Sequence, residues 1–304
     1  MAANEQILIT GASGFVGEKI ARHFAARGHA VLGTFLSTSI AIDGVEMIAV
    51  DLADPAAVAQ LLAASNPAAI IHCAAQTDTN FCEDFPADAR RSIVDATANL
   101  ARCAPTIPFV TFSTDLVFDG EAAPYPEDGE PKPLSVYGSL KLEAESAVLA
   151  HPRGAVLRSA LVYGPPGAAK ASFLGWMVRA LSEWRPLKLF ADEWRTPVFV
   201  GDLPMAVELL IGRLQTPGTA PGIFHAGGPD RLTRVEMGRM LCEAFDLSGD
   251  TIEELRREAI PRGMMRPRDV SLRSDKLKQL GWKQTTFADG LKKCREQWNA
   301  QQPS

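Results

Sequence analysis

Three side chains, Thr114, Tyr137 and Lys141, have the types and spacing needed to reduce a carbonyl group. Tyr137 and Lys141 are four residues apart, so on a helix they project from one face. A carbonyl being reduced needs a proton on its oxygen, and a tyrosine, with an ordinary pKa of about 10, donates one readily. We expect the Lys141 ammonium to lower that pKa and the Thr114 hydroxyl to bond the developing alkoxide. The alternative is a Tyr–Lys pair on the exposed face of an amphipathic helix.

A second group of residues predicts a phosphate-binding loop. Gly11, Gly14 and Gly17 are three apart, between a short apolar strand and the first helix pattern. Residues without Cβ allow a tight turn close to a pyrophosphate, and the helix N-terminus offers free N–H groups. The residues expected to hold a dinucleotide cofactor are Gly11, Ser13, Gly14, Phe15, Val16 and Gly17. A glycine-rich turn without a ligand is the alternative.

The end of the second predicted strand bears on which dinucleotide binds. An acidic residue is expected there when a free ribose 2′-hydroxyl is bound, but residues 19–42 contain no Asp or Glu. The hydroxyls of Thr34 and Ser37 suit a 2′-phosphate, which favours NADP, although NAD remains possible. Asp51, followed by Leu52 at the end of the third strand, is expected to accept the adenine amino group or else to cap the next helix.

Alternating strand and helix patterns predict the frame that positions these groups. Strands are expected at Gln6–Thr10, His29–Phe35, Val45–Leu52, Ala68–Ala75, Pro108–Ser113 and Ala155–Tyr163. Helix patterns lie between them, including Ala87–Cys103 and Ser135–Ala150. Strands separated by such helices indicate right-handed crossovers and a parallel sheet. The predicted fold class is therefore α/β, a Rossmann-type doubly wound parallel sheet (residues 1–164) with a smaller, partly interleaved α/β substrate lobe (165–304).

Composition and charge exclude several classes of function. The chain has 304 residues, 46% of them hydrophobic, and a net charge of −5, so it has no overall basic field for nucleic acid or an anionic membrane. No apolar run reaches the roughly 18 residues of a membrane span, and no signal peptide is expected. Five scattered cysteines without a CxxC pair predict reduced thiols and no metal site in a cytoplasmic protein. A homodimer is expected as the commonest symmetric assembly.

Four segments stand where one family of oxidoreductases has its markers. They are Thr10–Gly17, His72-Cys73-Ala74-Ala75, Ser113-Thr114-Asp115 and Tyr137-Gly-Ser-Leu-Lys141. Through them the chain resembles the extended short-chain dehydrogenase/reductases over nearly its whole length. The resemblance implies that Thr114, Tyr137 and Lys141 are catalytic and that Lys141 also binds the nicotinamide ribose. Ala74 and Ala75, with Thr77 just beyond them, are then expected beside the cofactor.

Within that family, Phe112–Gly120, the proline-rich loop after it and Pro133–Gly138 resemble the dTDP-4-dehydrorhamnose reductases. The resemblance implies NAD(P)H-dependent reduction of the 4-keto group of a dTDP-linked 6-deoxysugar, with a tyrosine as proton donor. It adds Asp115 to the catalytic group, beside the sugar, and assigns Val117 and Phe118 to the substrate site.

Two arginines stand where related sugar-nucleotide enzymes contact the diphosphate of their substrate. These are Arg195 and Arg266, and a guanidinium suits that task because it binds phosphate oxygens bidentately. Solvated surface arginines are the alternative. Three other functions stay open on the same fold: a non-catalytic NADP-binding regulatory subunit similar to that of methionine adenosyltransferase, a sugar-nucleotide epimerase, and a reductase of another ketone.

Overall fold

Strands and helices alternate along the computed structural model, which describes residues 5–165, 172–259 and 266–301. The strands are β1 (Gln6–Thr10), β2 (Ala30–Phe35), β3 (Val45–Ala49), β4 (Ala69–His72), β5 (Phe109–Thr114), β6 (Gly154–Ser159), β7 (Val162–Tyr163), β8 (Leu187–Phe190), β9 (Trp194–Arg195), β10 (Val198–Phe199), β11 (Gly222–Ala226), β12 (Leu232–Thr233) and β13 (Ile252–Leu255). The α-helices are α1 (Phe15–Ala26), α2 (Pro55–Ser65), α3 (Thr79–Asp84), α4 (Pro86–Arg90), α5 (Ala96–Cys103), α6 (Val136–Leu149), α7 (Phe173–Ser182), α8 (Leu203–Gln215), α9 (Arg234–Phe245), α10 (Asp275–Gln279) and α11 (Phe287–Gln301). Within the described ranges, none of these helices combines the length and the apolar character that crossing a bilayer requires.

The main sheet of the described residues has seven parallel strands in the order β11-β6-β5-β4-β1-β2-β3. From β1 the chain moves outward through β2 to β3, and then crosses back to β4 and continues in the other direction. The strand order therefore reverses beside β1, which confirms the predicted doubly wound α/β fold. In such sheets the ligand crevice lies beyond the carboxyl ends of the strands at this reversal.

Helices cover both faces of the sheet. Ile7 and Ile9 of β1 pack on one face in a buried cluster with apolar residues of α1 and α8. Leu8, which alternates to the other face, packs in a cluster with residues of α2 and α5. Because neither face meets water, β1 is a continuous apolar run rather than an alternating one.

The second half of the chain both completes the main sheet and builds a smaller layer beside it. Strand β11 is the edge strand of the main sheet, next to β6, and α8 packs on that sheet. The remaining short strands form pairs, β7 with β10, β9 with β12 and β8 with β13. Helices α7, α9 and α11 enclose a separate buried cluster over them. The division into domains at residue 164 stays a prediction.

Several predicted elements differ from the structure at their ends or in their middle. The fourth strand, predicted as Ala68–Ala75, ends at His72, where its pairing with β1 and β5 stops. The third strand ends at Ala49 instead of Leu52, because its partner strand β2 ends at Phe35, opposite Ala49. The sixth strand ends at Ser159, and Val162–Tyr163 forms a separate strand because it pairs with β10. The helix predicted as Ala87–Cys103 contains a π-helical turn at Arg91–Asp95. The short helix α3 was not predicted, although Asp78 caps it.

Two glycines allow β1 to turn directly into α1. Gly11 has a left-handed φ of +66°, and a Cβ built on it would lie 2.7 Å from the Ala74 backbone. A Cβ on Gly17 would lie 2.2 Å from the Gly11 carbonyl oxygen. Any side chain at Gly17 would therefore push the helix away from the loop.

Replacing Gly17 by alanine is expected to destabilise the protein by about 1–3 kcal/mol, because the added methyl overpacks a backbone contact. The control is Gly212→Ala in α8, where an added Cβ meets nothing within 4 Å. That change should stabilise the protein by up to about 1 kcal/mol through helix propensity. Denaturant midpoints measure both, and equal effects of the two substitutions would contradict the close approach.

Candidate active site

A groove crosses the carboxyl edge of the main sheet near the reversal of strand order. It consists of two adjoining cavities of about 730 and 540 Å³, which share Gly14, Cys73 and Ala75 in their walls. The larger cavity extends to the end of β5 and to the second half of the chain, and the smaller one to the ends of β2 and β3. A groove at this position is the usual place for a dinucleotide and its substrate.

Most of the residues predicted from the sequence line this groove. The larger cavity is lined by Gly14, Phe15, Val16, Gly17, Ala75, Thr77, Thr114, Asp115, Tyr137, Lys141, Arg195 and Arg266. The smaller cavity is lined by Gly11, Ser13, Thr34, Ser37, Asp51, Leu52 and Ala74. Val117 and Phe118 are a correction to the predicted substrate site, because both are fully buried in a core cluster, where Phe118 stacks on Tyr125 with the ring centroids 4.0 Å apart.

The N-terminus of α1 lies where the two cavities meet. Gly14 precedes the helix, and no side chain caps its first turn. The backbone amides of that turn and the positive end of the helix dipole suit a pyrophosphate. The residues of this chain therefore fit the phosphates of a dinucleotide, in agreement with the sequence pattern.

The smaller cavity ends at a surface ion pair. Asp51 Oδ2 lies 2.7 Å from Arg91 Nη2, and the other oxygen of Asp51 accepts a hydrogen bond from the Ala53 N–H. Helix α2 is capped by Asp54, so Asp51 is not the cap of that helix. Arg91 was missed by the sequence analysis, because it is 40 residues from Asp51 and reaches it from the π-helical turn.

Helix α6 brings Tyr137 and Lys141 to the end of β5, beside Thr114. Ser135 caps the helix by accepting a hydrogen bond from the Gly138 N–H at 3.1 Å. The side chains of Thr114, Tyr137 and Lys141 are all buried, yet all three line the larger cavity. The hydroxyl of Thr114 donates to Asp115 Oδ1 at 3.2 Å. The four residues predicted as the catalytic group are therefore together at one end of the groove.

The electrostatics of Tyr137 differ from the expectation drawn from the sequence. Burial raises the pKa of its phenol, the Asp115 carboxylate raises it further, and a hydrogen bond with Thr114 lowers it. The Lys141 ammonium is not among the groups that lower this pKa. Its Nζ donates to the Phe112 carbonyl at 2.6 Å. The phenol is therefore held in its protonated form.

Lys141 itself is a desolvated cation. Burial lowers its pKa to about 8, although the charges of Glu145 and Cys73 act in the opposite direction. The side chain is therefore charged at neutral pH and loses its proton in mildly alkaline solution.

Three arginines surround one buried carboxylate at the far wall of the larger cavity. Glu193 is fully buried, and its oxygens lie 2.8 Å from Arg195 Nη2, 3.4 Å from Arg234 Nε and 3.4 Å from Arg266 Nη1. Arg195 also lies 3.7 Å from Asp115 through its Nε. Arg195 and Arg266, both predicted from the sequence, thus converge on one wall, whereas Glu193 and Arg234 were not predicted.

The charges of this arginine cluster (Glu193, Arg195, Arg234 and Arg266) are only partly balanced. Burial alone would raise the pKa of Glu193, but the arginines hold it below its ordinary value. Burial lowers the pKa of Arg234 to about 10, and its Nη1 is buried without a hydrogen-bond partner. Three guanidinium groups against Glu193 and the nearby Asp115 leave the wall able to accept an anion.

Curated relatives match almost the whole chain. One is the probable low-salt glycan biosynthesis reductase Agl14 of Haloferax volcanii, 32% identical over 93% of this chain and 95% of that protein. Another is the methionine adenosyltransferase 2 subunit beta of Xenopus tropicalis, 34% identical over 94% of this chain and 85% of that protein.

Solved structures share the fold. A dTDP-4-dehydrorhamnose reductase of Clostridium acetobutylicum is 26% identical, with a TM-score of 0.82 over 97% of this chain and 99% of that one. The dTDP-4-dehydrorhamnose reductase of Bacillus anthracis, in complex with NADP, is 22% identical, with a TM-score of 0.83 over the same shares. The Bordetella bronchiseptica enzyme WbmG, in complex with NAD and UDP, is 20% identical, with a TM-score of 0.84 over 98% and 96%.

The fold, the groove and these similarities define the class of the protein, an NAD(P)-dependent oxidoreductase of the extended short-chain dehydrogenase/reductase type. More narrowly, the chain belongs to the RmlD substrate binding domain family, whose model matches residues 5–299. This membership confirms the resemblance seen in the sequence motifs.

Replacing Glu193 by glutamine is expected to destabilise the protein by about 3–5 kcal/mol, because it leaves buried guanidinium groups without their counter-charge. The control is Glu253→Gln, which removes an exposed ion pair with Lys188 at 3.9 Å and should cost less than about 1 kcal/mol. Denaturant unfolding measures both changes.

The difference in the free energy of unfolding between the wild type and Glu193→Gln is expected to depend on pH. Since the folded protein lowers the pKa of Glu193, the stabilising contribution is present at neutral pH and is lost as the pH falls through the folded-state value. The difference between the wild type and Glu193→Gln should therefore shrink in acid, and a difference that grows in acid would contradict this charge assignment.

Proposed function

We propose that the protein is an NADPH-dependent reductase of a sugar nucleotide, acting on the 4-keto group of a dTDP-linked 6-deoxysugar. The observation that carries the proposal is that one cavity of about 730 Å³ is lined by Thr114, Tyr137 and Lys141 and also by the arginine cluster. The first group suits a carbonyl, and the second suits a diphosphate. A keto-sugar nucleotide contains both.

In this proposal Tyr137 is the proton donor. A bound nicotinamide cofactor supplies the hydride that reduces the carbonyl carbon. The phenol Oη of Tyr137 transfers its proton to the carbonyl oxygen, and the Thr114 hydroxyl donates a hydrogen bond to the same oxygen as it gains charge. Burial and Asp115, which raise the pKa of Tyr137, keep the proton on the phenol before the reaction.

Lys141 and the arginine cluster have binding roles in the same proposal. The Lys141 ammonium, held by the Phe112 carbonyl, binds the nicotinamide ribose. Arg195 and Arg266 bind the diphosphate oxygens. Asp115, 3.7 Å from Arg195, lies between the proton donor and the phosphate site and is assigned to the sugar hydroxyls.

NADPH is proposed as the preferred cofactor. The end of β2 carries the hydroxyl residues Thr34 and Ser37 and no carboxylate, so a 2′-phosphate meets no fixed negative charge there. Asp51, which also lines this cavity, is paired with Arg91. A cytoplasmic homodimer completes the proposal, and light scattering of the purified protein tests the assembly.

Turnover with dTDP-4-keto-6-deoxysugars, followed through the absorbance of NADPH, tests the proposed reaction directly. The panel includes the corresponding UDP-linked sugars and free ketones, which separate a sugar-nucleotide reductase from a general ketone reductase. Normal NADPH binding without reduction of any member of the panel would overturn the proposal.

A second function is favoured by one observation, the 34% identity to a methionine adenosyltransferase 2 subunit beta over most of both chains. In that case the protein is a regulatory subunit that binds NADP and a catalytic partner. The test is co-elution with a methionine adenosyltransferase from the same source. A stable complex whose activity is unchanged by Tyr137→Phe would favour this function.

Replacing Tyr137 by phenylalanine is expected to reduce kcat by roughly 10²–10⁴, the usual contribution of an acid–base group, with an unchanged Kd for NADPH. The control is Tyr163→Phe, because that phenol donates only a 3.3 Å hydrogen bond to the Thr286 carbonyl in the second half of the chain. Steady-state kinetics and cofactor fluorescence measure the two effects. An undiminished kcat in the Tyr137 variant would contradict the assigned role.

Replacing Leu36 by aspartate is expected to weaken NADPH binding by roughly tenfold, about 1.4 kcal/mol, while NADH binding is kept. Leu36 is 68% exposed and lines the smaller cavity after β2, so a carboxylate there repels a 2′-phosphate. The control is Ile48→Asp, an exposed position on β3 outside that cavity. The ratio of the two dissociation constants is the measurement, and an unchanged ratio contradicts the proposed cofactor preference.

A further inference from the structure

A buried carboxylate lies one helical turn beyond the proposed catalytic pair. Glu145 is 2% exposed, lines neither cavity and has no part in the proton transfer described above. Its Oε1 accepts a hydrogen bond from Ser113 Oγ at 2.5 Å and another from Arg158 Nε at 2.9 Å. Its Oε2 accepts from Arg158 Nη2 at 2.7 Å. The carboxylate is thus fixed from two strands, β5 and β6.

The position of Glu145 follows from the helix period. Tyr137, Lys141 and Glu145 are separated by four residues each, so the three side chains lie on one face of α6. That face meets the last three residues of β5. Thr114 bonds Tyr137, the Phe112 carbonyl accepts from Lys141, and Ser113 donates to Glu145.

The charges at this contact explain why the third residue is acidic. Arg158 is fully buried and requires a counter-ion. Lys141 is a second buried cation, and its Nζ donates a hydrogen bond to a neutral carbonyl, that of Phe112. Glu145 carries the negative charge that both cations experience, whereas a neutral residue there would leave two positive charges in a desolvated space.

We propose that Glu145 is a positioning residue for Lys141, a fixed buried counter-charge that keeps the ammonium protonated and directed at the end of β5. This proposal rests on the proposed function only in that Lys141 is taken to bind the nicotinamide ribose. The effect of the Glu145 charge on the protonation of Lys141 depends on the fold alone. Ser113 and Arg158 fix the carboxylate and so act through it.

The groups that face Lys141 come from three elements. Glu145 and Tyr137 lie on α6, Cys73 and His72 lie at the end of β4, and the Phe112 carbonyl lies on β5. Burial and the Lys141 charge keep His72 neutral, with a pKa of about 3, and burial raises the pKa of Cys73. Near neutral pH, Glu145 is therefore the charged side chain that supports the Lys141 ammonium.

The test is the titration midpoint of the Lys141 side chain, observed by NMR on the full-length protein labelled with ¹³C at the lysine Cε. The signal is assigned by its loss in Lys141→Met. In Glu145→Gln, which keeps the shape and the hydrogen-bond acceptor but removes the charge, the midpoint is expected to fall by about one unit or more. The matched control is Glu143→Gln on the exposed face of the same helix, where the carboxylate pairs with Arg90, and its midpoint should equal that of the wild type.

Two further measurements distinguish a failure of this proposal from a variant that does not fold and from a failure of the proposed function. If Glu145→Gln does not fold, Glu145→Gln/Arg158→Gln removes both charges together, and its Lys141 midpoint is again expected to fall, because Arg158 is not among the groups that shift Lys141. An unchanged midpoint in a folded variant overturns the proposal. A lowered midpoint supports it even if no keto-sugar is reduced, whereas that lack of turnover counts against the proposed function alone.

Discussion

The contact between helix α6 and the last residues of β5 determines where the reacting groups of this protein lie. Three successive turns of the helix each bond to one residue of the strand end, through Tyr137, Lys141 and Glu145. Strand β5 lies inside the sheet between β4 and β6. Its last residues pair with β6 as far as Thr114, whereas β4 pairs with β5 only as far as Thr111. The contacts of α6 with this strand end bring Tyr137 and Thr114 together in the wall of the larger cavity.

The site combines two polar regions whose costs of burial are met in different ways. Around α6, the Glu145 carboxylate accepts hydrogen bonds from Ser113 and Arg158 and lies one helical turn from Lys141, and Arg158 Nη1 is buried without a hydrogen-bond partner. In the arginine cluster, three guanidinium groups share Glu193, and one nitrogen of Arg234 has no partner. The ion pair of the first region, Glu145 with Arg158, lines neither cavity and is therefore not open to a ligand. The second is suited to an anion that arrives with the substrate.

The parts of the site that the sequence predicted are those whose residues are close together in the chain. The glycine loop and the Tyr137–Lys141 pair each follow from a local spacing and a secondary-structure period. Glu193 and Arg234 are 41 residues apart and meet only through tertiary folding, so no sequence spacing predicts that they are neighbours. Glu145 is different, since the same four-residue period that relates Tyr137 to Lys141 reaches it. Val117 and Phe118 were misplaced because a motif shared with a family does not say which of its side chains turn into the core.

Strand β11 belongs to the second half of the chain but is part of the main sheet, where it pairs with β6 of the first half. Its residues, Gly222–Ala226, pair along β6 and cover one side of Arg158, whose strand neighbour is His225. A gene fragment that stops at residue 164, before both α8 and β11, would expose the backbone of β6 as a free sheet edge and leave the apolar surface under α8 in water. We therefore expect such a fragment to self-associate through that edge. Recombination between related proteins would have to exchange both halves, or keep β6 and β11 together.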